Sequence, residues 1–224
     1  VAVRLAEIER RIAQAAERAG RDPSGITLVA VGKTQPVDVL REAYDQGLRV
    51  FGENRAQELV VKAADMPEDV EWHFVGHLQS NKVRHVRPIV SLLHSMDRVD
   101  LGTAWLKGLG LAPPVLIEVN VGNEPQKPGV SVDDLEGVAV RLIEMGLDVR
   151  GLMAVPPMAD DPEDVRPFFR RLASLRTRLH DHWPSITELS MGMTDDFEVA
   201  IEEGSTMIRL GRAIFGPRMT QGIA

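Results

Sequence analysis

Ile26-Thr27-Leu28-Val29-Ala30-Val31-Gly32-Lys33 is a short apolar run that ends in a lysine. It reads as a β-strand, and period-two alternation puts Lys33 on the same face as Thr27, Val29 and Val31. The pattern recurs down the chain. Apolar runs of β character lie near Leu48–Phe51, Trp72–Val75, Val90–Leu93, Val115–Val119, Val149–Met153, Thr187–Ser190 and Met207–Leu210, with turns and charged, helix-patterned stretches between them. Strict alternation of strand and helix predicts a parallel sheet joined by crossovers, and about eight such units predict a closed α/β barrel, a (β/α)8 TIM-type barrel. An open doubly wound sheet is the alternative architecture, because periodicity does not report closure. Upstream, Leu5, Ile8, Ile12 and Ala15 recur at helical spacing before Gly20, which predicts an extra N-terminal helix packed on the body of the fold.

The chain has 224 residues, and one such barrel typically takes about 250. No Pro/Gly/Ser linker divides it, so residues 1–224 read as a single domain. A composition 44% hydrophobic and 26% charged supports a packed core. With no cysteine, disulfides, thiolate metal sites and cysteine nucleophiles are excluded, and a reducing compartment, the cytoplasm, is expected. A net charge of −7 argues against nonspecific nucleic-acid binding, which needs a basic face. Val1 to Gly20 is too charged for a signal-peptide core, and no later stretch supplies the roughly 18 apolar residues of a membrane span.

Polar residues gather where the predicted strands end: Lys33, Glu53-Asn54, His73 with His77, Ser95, Asn120, Ser190 and Gly211. In a barrel, that end is where active sites are built. Strand ends also meet polar loops in any protein, which suffices for Ser95 and His77 taken singly. An apolar barrel mouth disfavours the charged form of an ammonium, as a Schiff-base lysine requires, although a lysine at a strand end can equally snorkel to water. Asp195 and Glu198 are spaced like a capping box for a helix ending before Gly204, which makes Ser190 to Thr194 a loop leading into that helix. Loops after the last two strands of such barrels frequently bind phosphate through backbone amides, and Gly192 and Gly211 allow close approach of an anion. Arg209 shares a face with Met207. If Met207 points inward, a guanidinium enters the barrel and needs a ligand or a carboxylate such as Glu118.

Other motifs fail. Gly122-Asn123-Glu124-Pro125-Gln126-Lys127 lacks the glycine before its lysine that a phosphate loop needs, and His73 and His77 span a strand and its turn rather than one helix face, so no metal site is expected.

Longer motifs carry a resemblance. Lys33-Thr34 with Pro36, Phe51-Gly52-Glu53-Asn54, Trp72 to Lys82, His94-Ser95-Met96-Asp97, Arg150-Gly151-Leu152-Met153, Ser190-Met191-Gly192-Met193 and Gly211 to Gly216 follow one another in the order seen in the pyridoxal phosphate homeostasis protein family. The resemblance covers nearly the whole chain. It implies a barrel similar to the N-terminal domain of alanine racemase, with pyridoxal 5′-phosphate (PLP) held as an internal aldimine on Lys33. It implies further that Ser190 and the amides of Gly211 and Arg212 cradle the phosphate, that Arg209 faces the pyridine nitrogen, and that Asn54, His73 and Met193 line the pocket. Gln35, Gly122 and Arg212 depart from residues usual in the family, which touches the rim of the site more than the cofactor's seat.

An arginine facing the pyridine nitrogen leaves the ring a weak electron sink, because arginine keeps its proton. Racemisation also needs a second acid/base opposite the lysine, and little chain follows residue 216 to build one. The expected function is therefore storage, buffering or delivery of PLP, with apoenzymes that accept it as partners and little or no catalysis. The alternatives are a PLP-dependent amino-acid racemase, a Schiff-base aldolase using Lys33 directly, and a scaffold. A scaffold would leave Lys33, Arg209 and the glycine loops without a joint explanation.

Overall fold

A computed structural model describes residues 1–216 of the chain. Eight strands close into one parallel barrel in sequence order, with β1 bonded to both β2 and β8. After α1 (Ala2–Arg18) the order is β1 (Thr27–Val31), α2 (Val37–Asp45), β2 (Val50–Glu53), α3 (Ala56–Asp65), β3 (Glu71–Phe74) and α4 (Val83–Val86). Then come β4 (Val90–Met96), α5 (Val99–Leu106), β5 (Val115–Glu118), α6 (Leu135–Glu144) and β6 (Val149–Met153). The barrel is completed by α7 (Arg166–His182), β7 (Glu188–Ser190), α8 (Phe197–Glu202), β8 (Met207–Leu210) and α9 (Arg212–Phe215). The open-sheet alternative is thereby set aside. No helix among the described residues is long and apolar enough to cross a membrane.

The apolar residues form two separate cores. Phe51, Trp72 and Phe74 alternate with inward residues on β2 and β3 and are buried in the shell between barrel and helices. Burying each contributes about 1.5–3 kcal/mol. Inside the barrel, Leu92, Leu116, Met153 and Met207 form a small cluster of their own. Two positions further along their strands, His94, Glu118 and Arg209 take the same inward face, so a polar layer lies on top of an apolar one. The predicted inward position of Arg209 above Met207 follows from this layering.

α1 buries Leu5, Ile8, Ile12 and Ala15, as the helical spacing predicts. Its Arg11 lies 4.6 Å over the Phe197 ring and pairs with Glu198 at 2.8 Å, which docks it on α8. Three local expectations need correction. Leu48 does not begin a strand: its amide bonds to Ala43 O at the end of α2, and β2 starts only at Val50. Ser95 is not a loop residue, because β4 runs on to Met96 and the Ser95 hydroxyl donates to Gly76 O at 2.6 Å. The capping box is not formed either. Asp196 is the N-cap of α8 and accepts from Met193 N at 2.6 Å, whereas Glu198 is drawn off by Arg11 and Asp195 by Arg212.

Candidate functional site

Lys33 stands at the barrel mouth in a tight turn, Gly32 to Gln35, closed by Gln35 N donating to Gly32 O at 2.9 Å. Thr34, at the third position of this turn, has φ +64°. A β-branched residue in the left-handed region is a strained outlier, where the turn type favours glycine or asparagine. The turn sends the half-buried Lys33 side chain into a cavity walled by β1, β2 and the loops that follow β7 and β8.

Six of the expected site residues line this one cavity: Lys33, Asn54, Met193, Arg209, Gly211 and Arg212. His73 and Ser190 are buried beneath it and do not line it. Ser190 is fully occupied there: its hydroxyl meets His94 Nδ1 at 2.8 Å and accepts from Arg209 Nη1 at 2.5 Å. His94 Nε2 in turn meets His73 Nδ1 at 2.9 Å. Arg209 gives its second bond to Ala154 O at 3.0 Å, so its hydrogen bonds go to neutral groups and not to Glu118. His77 turns away from His73 to pair with Asp97 at 3.1 Å, and the two histidines do not converge.

The electrostatics of the polar layer follow from its burial. Desolvation pulls His73 down to about 4, and pulls His94 well below the usual histidine value with help from His73 and the Arg209 charge. Both rings are neutral at physiological pH. Burial pushes Glu118 up to about 7, Asp97 adds to this, and Arg209 opposes it. Arg209 is lowered by burial to about 10 against the attraction of Glu118 and Asp196, and still keeps its proton.

The loops after β7 and β8 close one side of the cavity. Gly192 has φ +94°, and its carbonyl accepts from Arg209 N at 3.0 Å, which fixes the loop after β7 against β8. A Cβ there would lie 2.6 Å from Ala200 Cβ, so only glycine lets this loop pack on α8. Gly211 is the N-cap of α9, and its carbonyl takes the amides of Ile214 and Phe215. The amides of Arg212 and Ala213 therefore have no partner within that helix. The Arg212 side chain crosses the rim to Asp195 at 2.6 Å. Thr194 also lines the cavity; the sequence places it in the loop after β7 but does not single it out from its neighbours there. On the opposite wall, Asn54 Oδ1 is buried without a hydrogen-bond partner among the described residues, and an orphaned acceptor at a cavity wall is a place for a ligand.

Fold and site together define an α/β barrel that presents a lysine at its mouth, in one cavity with two arginines and the loops that follow β7 and β8. The sequence matches the family model for the alanine racemase N-terminal domain over residues 3–219. It is 45% identical to the pyridoxal phosphate homeostasis protein of Aquifex aeolicus, across 96% of this chain and 97% of that one. The chain belongs to the pyridoxal phosphate homeostasis protein family. Among solved structures, that of PipY from Synechococcus elongatus with PLP bound superposes with a TM-score of 0.79 at 34% identity, over 92% of this chain and 100% of PipY. Alanine racemase from Corynebacterium glutamicum shares the fold, with a TM-score of 0.67 at 18% identity over 97% of this chain and 62% of the racemase.

Proposed function

We propose that this chain is a single-domain carrier that holds pyridoxal 5′-phosphate on Lys33 and stores, buffers or delivers it to apoenzymes, with little or no catalysis of its own. The observation that carries this reading is the composition of the cavity: Lys33, Arg209 and Arg212 converge in it with the loops that follow β7 and β8, beside the buried Asn54 Oδ1, which has no hydrogen-bond partner among the described residues. When bound, the cofactor supplies an aldehyde that condenses with an amine, releasing one water, and a pyridine ring that withdraws electrons. Lys33 is the amine in reach. Arg212 and Ala213 amides, with the Thr194 hydroxyl, offer donors to the phosphate. Arg209 would face the ring nitrogen and, because it keeps its own proton, would restrain carbanion chemistry there. Ser190 and His73 act from beneath by holding Arg209 in place.

A low catalytic capacity is supported by what faces Lys33. The cavity-lining carboxylate, Asp195, is tied to Arg212, and the chain's one tyrosine, Tyr44, is bonded to Asp69 at 2.6 Å far from the mouth. A racemase needs an acid/base on each side of its substrate. The test is to load the protein with PLP, reduce with borohydride and map the modified peptide, while following exchange of the α-hydrogen of added amino acids in deuterated water. Modification on Lys33 with negligible exchange is expected. Adducts chiefly on Lys62, Lys82 or Lys127 would reject the site, and turnover on the order of 1 s⁻¹ or faster would reject the carrier reading.

A further inference from the structure

Beside the cavity, in the shell between β2 and α3, lies a charged cluster that the proposed function does not use. Lys62 is buried, and its Nζ donates to Glu53 Oε1 at 2.5 Å, to Glu58 Oε2 at 2.9 Å and to Gly32 O at 2.8 Å. Glu58 Oε2 also accepts from Thr34 N at 2.9 Å, and Glu53 Oε2 accepts from Asn54 N at 3.1 Å. The three side chains therefore grip the backbone on both sides of Lys33, and the backbone of Asn54 as well. We propose that Lys62, Glu53 and Glu58 form a positioning clamp that holds the Lys33 turn in the conformation that aims its amine into the cavity.

Stability alone does not account for such a cluster. A buried ion pair is frequently no better than apolar residues of the same volume, since desolvating two charges offsets their attraction. Burial does push the Glu53 carboxyl up, against the pull of Lys62. What the cluster does uniquely is oppose a local cost. Thr34 sits at φ +64°, and a β-branched residue leaves that region unless its surroundings over-determine it. The bonds to Gly32 O and Thr34 N bracket Lys33 and hold the peptide unit that leads into Thr34. Without them the turn relaxes toward negative φ at Thr34, and the direction of the preceding side chain changes with it. Lys62, Glu53 and Glu58 touch neither the cofactor nor the reacting amine, and they act through the backbone.

This inference rests on the reading of Lys33 as the attachment site, and its test separates the two. Glu58 is only partly buried, and Glu58→Ala removes the Thr34 bond and one of the two carboxylate partners of Lys62, leaving Glu53 to pair with the ammonium. Two probes are compared in the full chain. Pyridoxal 5′-phosphate reports attachment to Lys33 by absorbance and by the mass of the borohydride-reduced peptide. Pyridoxine 5′-phosphate, which has an alcohol in place of the aldehyde, reports noncovalent seating by calorimetry. A clamp predicts that Glu58→Ala slows attachment by about tenfold, the worth of one charge-assisted hydrogen bond, while pyridoxine 5′-phosphate binds within about twofold of wild type. Glu58→Gln keeps an acceptor at the same reach, so it should lose only about threefold in attachment. If the alanine variant does not fold, the glutamine variant carries the test, and attachment equal to wild type overturns the clamp. Equal weakening of both probes also overturns it, since the cluster would then merely support the fold. Wild-type protein that shows no adduct on Lys33 refutes the attachment reading instead.

Discussion

Arg209 on β8 and Ser190 on β7 meet at 2.5 Å, guanidinium to hydroxyl, across the top of the barrel interior. Arginine has donors only, so the arrangement that uses every proton runs one way: Arg209 to Ser190, Ser190 to His94 Nδ1, and His94 Nε2 to His73 Nδ1. Replacing Ser190 by alanine leaves two buried groups short of a partner and should lower unfolding free energy by about 2–3 kcal/mol, read from urea titrations. The ratio of affinities for PLP and unphosphorylated pyridoxal should stay at its wild-type value. Thr194→Val, in contrast, should erode that ratio. A loss of phosphate preference confined to Ser190→Ala would mean that the serine touches the phosphate directly, as the family resemblance implies.

Acid should destabilise the protein through the same layer, with Glu118 working in the opposite sense. His73 titrates at about 4 folded and near 6.5 unfolded, so between these values the unfolded chain binds more protons and stability falls as pH falls, by up to about 1.4 kcal/mol per pH unit. Glu118, raised to about 7, contributes stability that is present below its unfolded value of 4.5 and is lost as pH rises toward 7. Glu118→Gln removes that opposing contribution. The difference in unfolding free energy between pH 7 and pH 4.5 should then grow by on the order of 2 kcal/mol. Parallel pH profiles for wild type and variant would show that Glu118 ionises freely in the folded protein.

A pair of glycines distinguishes packing at the site from ordinary helix propensity. Gly192→Ala places a methyl 2.6 Å from Ala200 Cβ at φ +94°, and should cost at least about 2 kcal/mol while weakening phosphate binding. Gly137, exposed on α6, has nothing within 4 Å of an added Cβ. Its replacement by alanine should stabilise by about 0.5–1 kcal/mol. Thermal melts of the two variants, moving in opposite directions, are the check.

At the rim, Arg212 and Asp195 are both largely exposed, so their 2.6 Å pair contributes little to folding. Arg212→Ser and Asp195→Asn should each change stability by less than about 0.5 kcal/mol. Their effects on a phosphate ligand should carry opposite signs: loss of the cation leaves Asp195 to repel it, and loss of the anion frees Arg212 to attract it. Each change should amount to about two- to fivefold in Kd at low salt and shrink as salt is added. Equal shifts in the same direction would show that the rim acts by shape instead.

Much of this molecule is legible along the chain because strand and helix periods report which side of an element a residue occupies. Val149–Met153 and Met207–Leu210 begin and end where the alternation puts them, and the inward turn of Arg209 follows from Met207 two positions earlier. What stayed hidden depends on partners far apart in sequence. Nothing near Ser190 in the sequence shows that its hydroxyl meets His94, 96 residues away. Nothing near Lys62 in the sequence shows that Gly32, 30 residues earlier, lies against its Nζ. Asp195 and Glu198 have capping spacing, but Arg212 and Arg11, which take them, come from other parts of the chain.

The inner cluster of Leu92, Leu116, Met153 and Met207 stoppers the barrel from below. Among the described residues the cavity opens at the barrel mouth, so a guest that enters there departs by retracing its arrival. Whatever covers that doorway, a docked acceptor included, slows entry and exit by the same factor unless it also changes the strength of the grip. On the carrier reading proposed above, hand-over to another protein would require the recipient to stand at the mouth and either open the Lys33 side of the cavity or intercept the guest there.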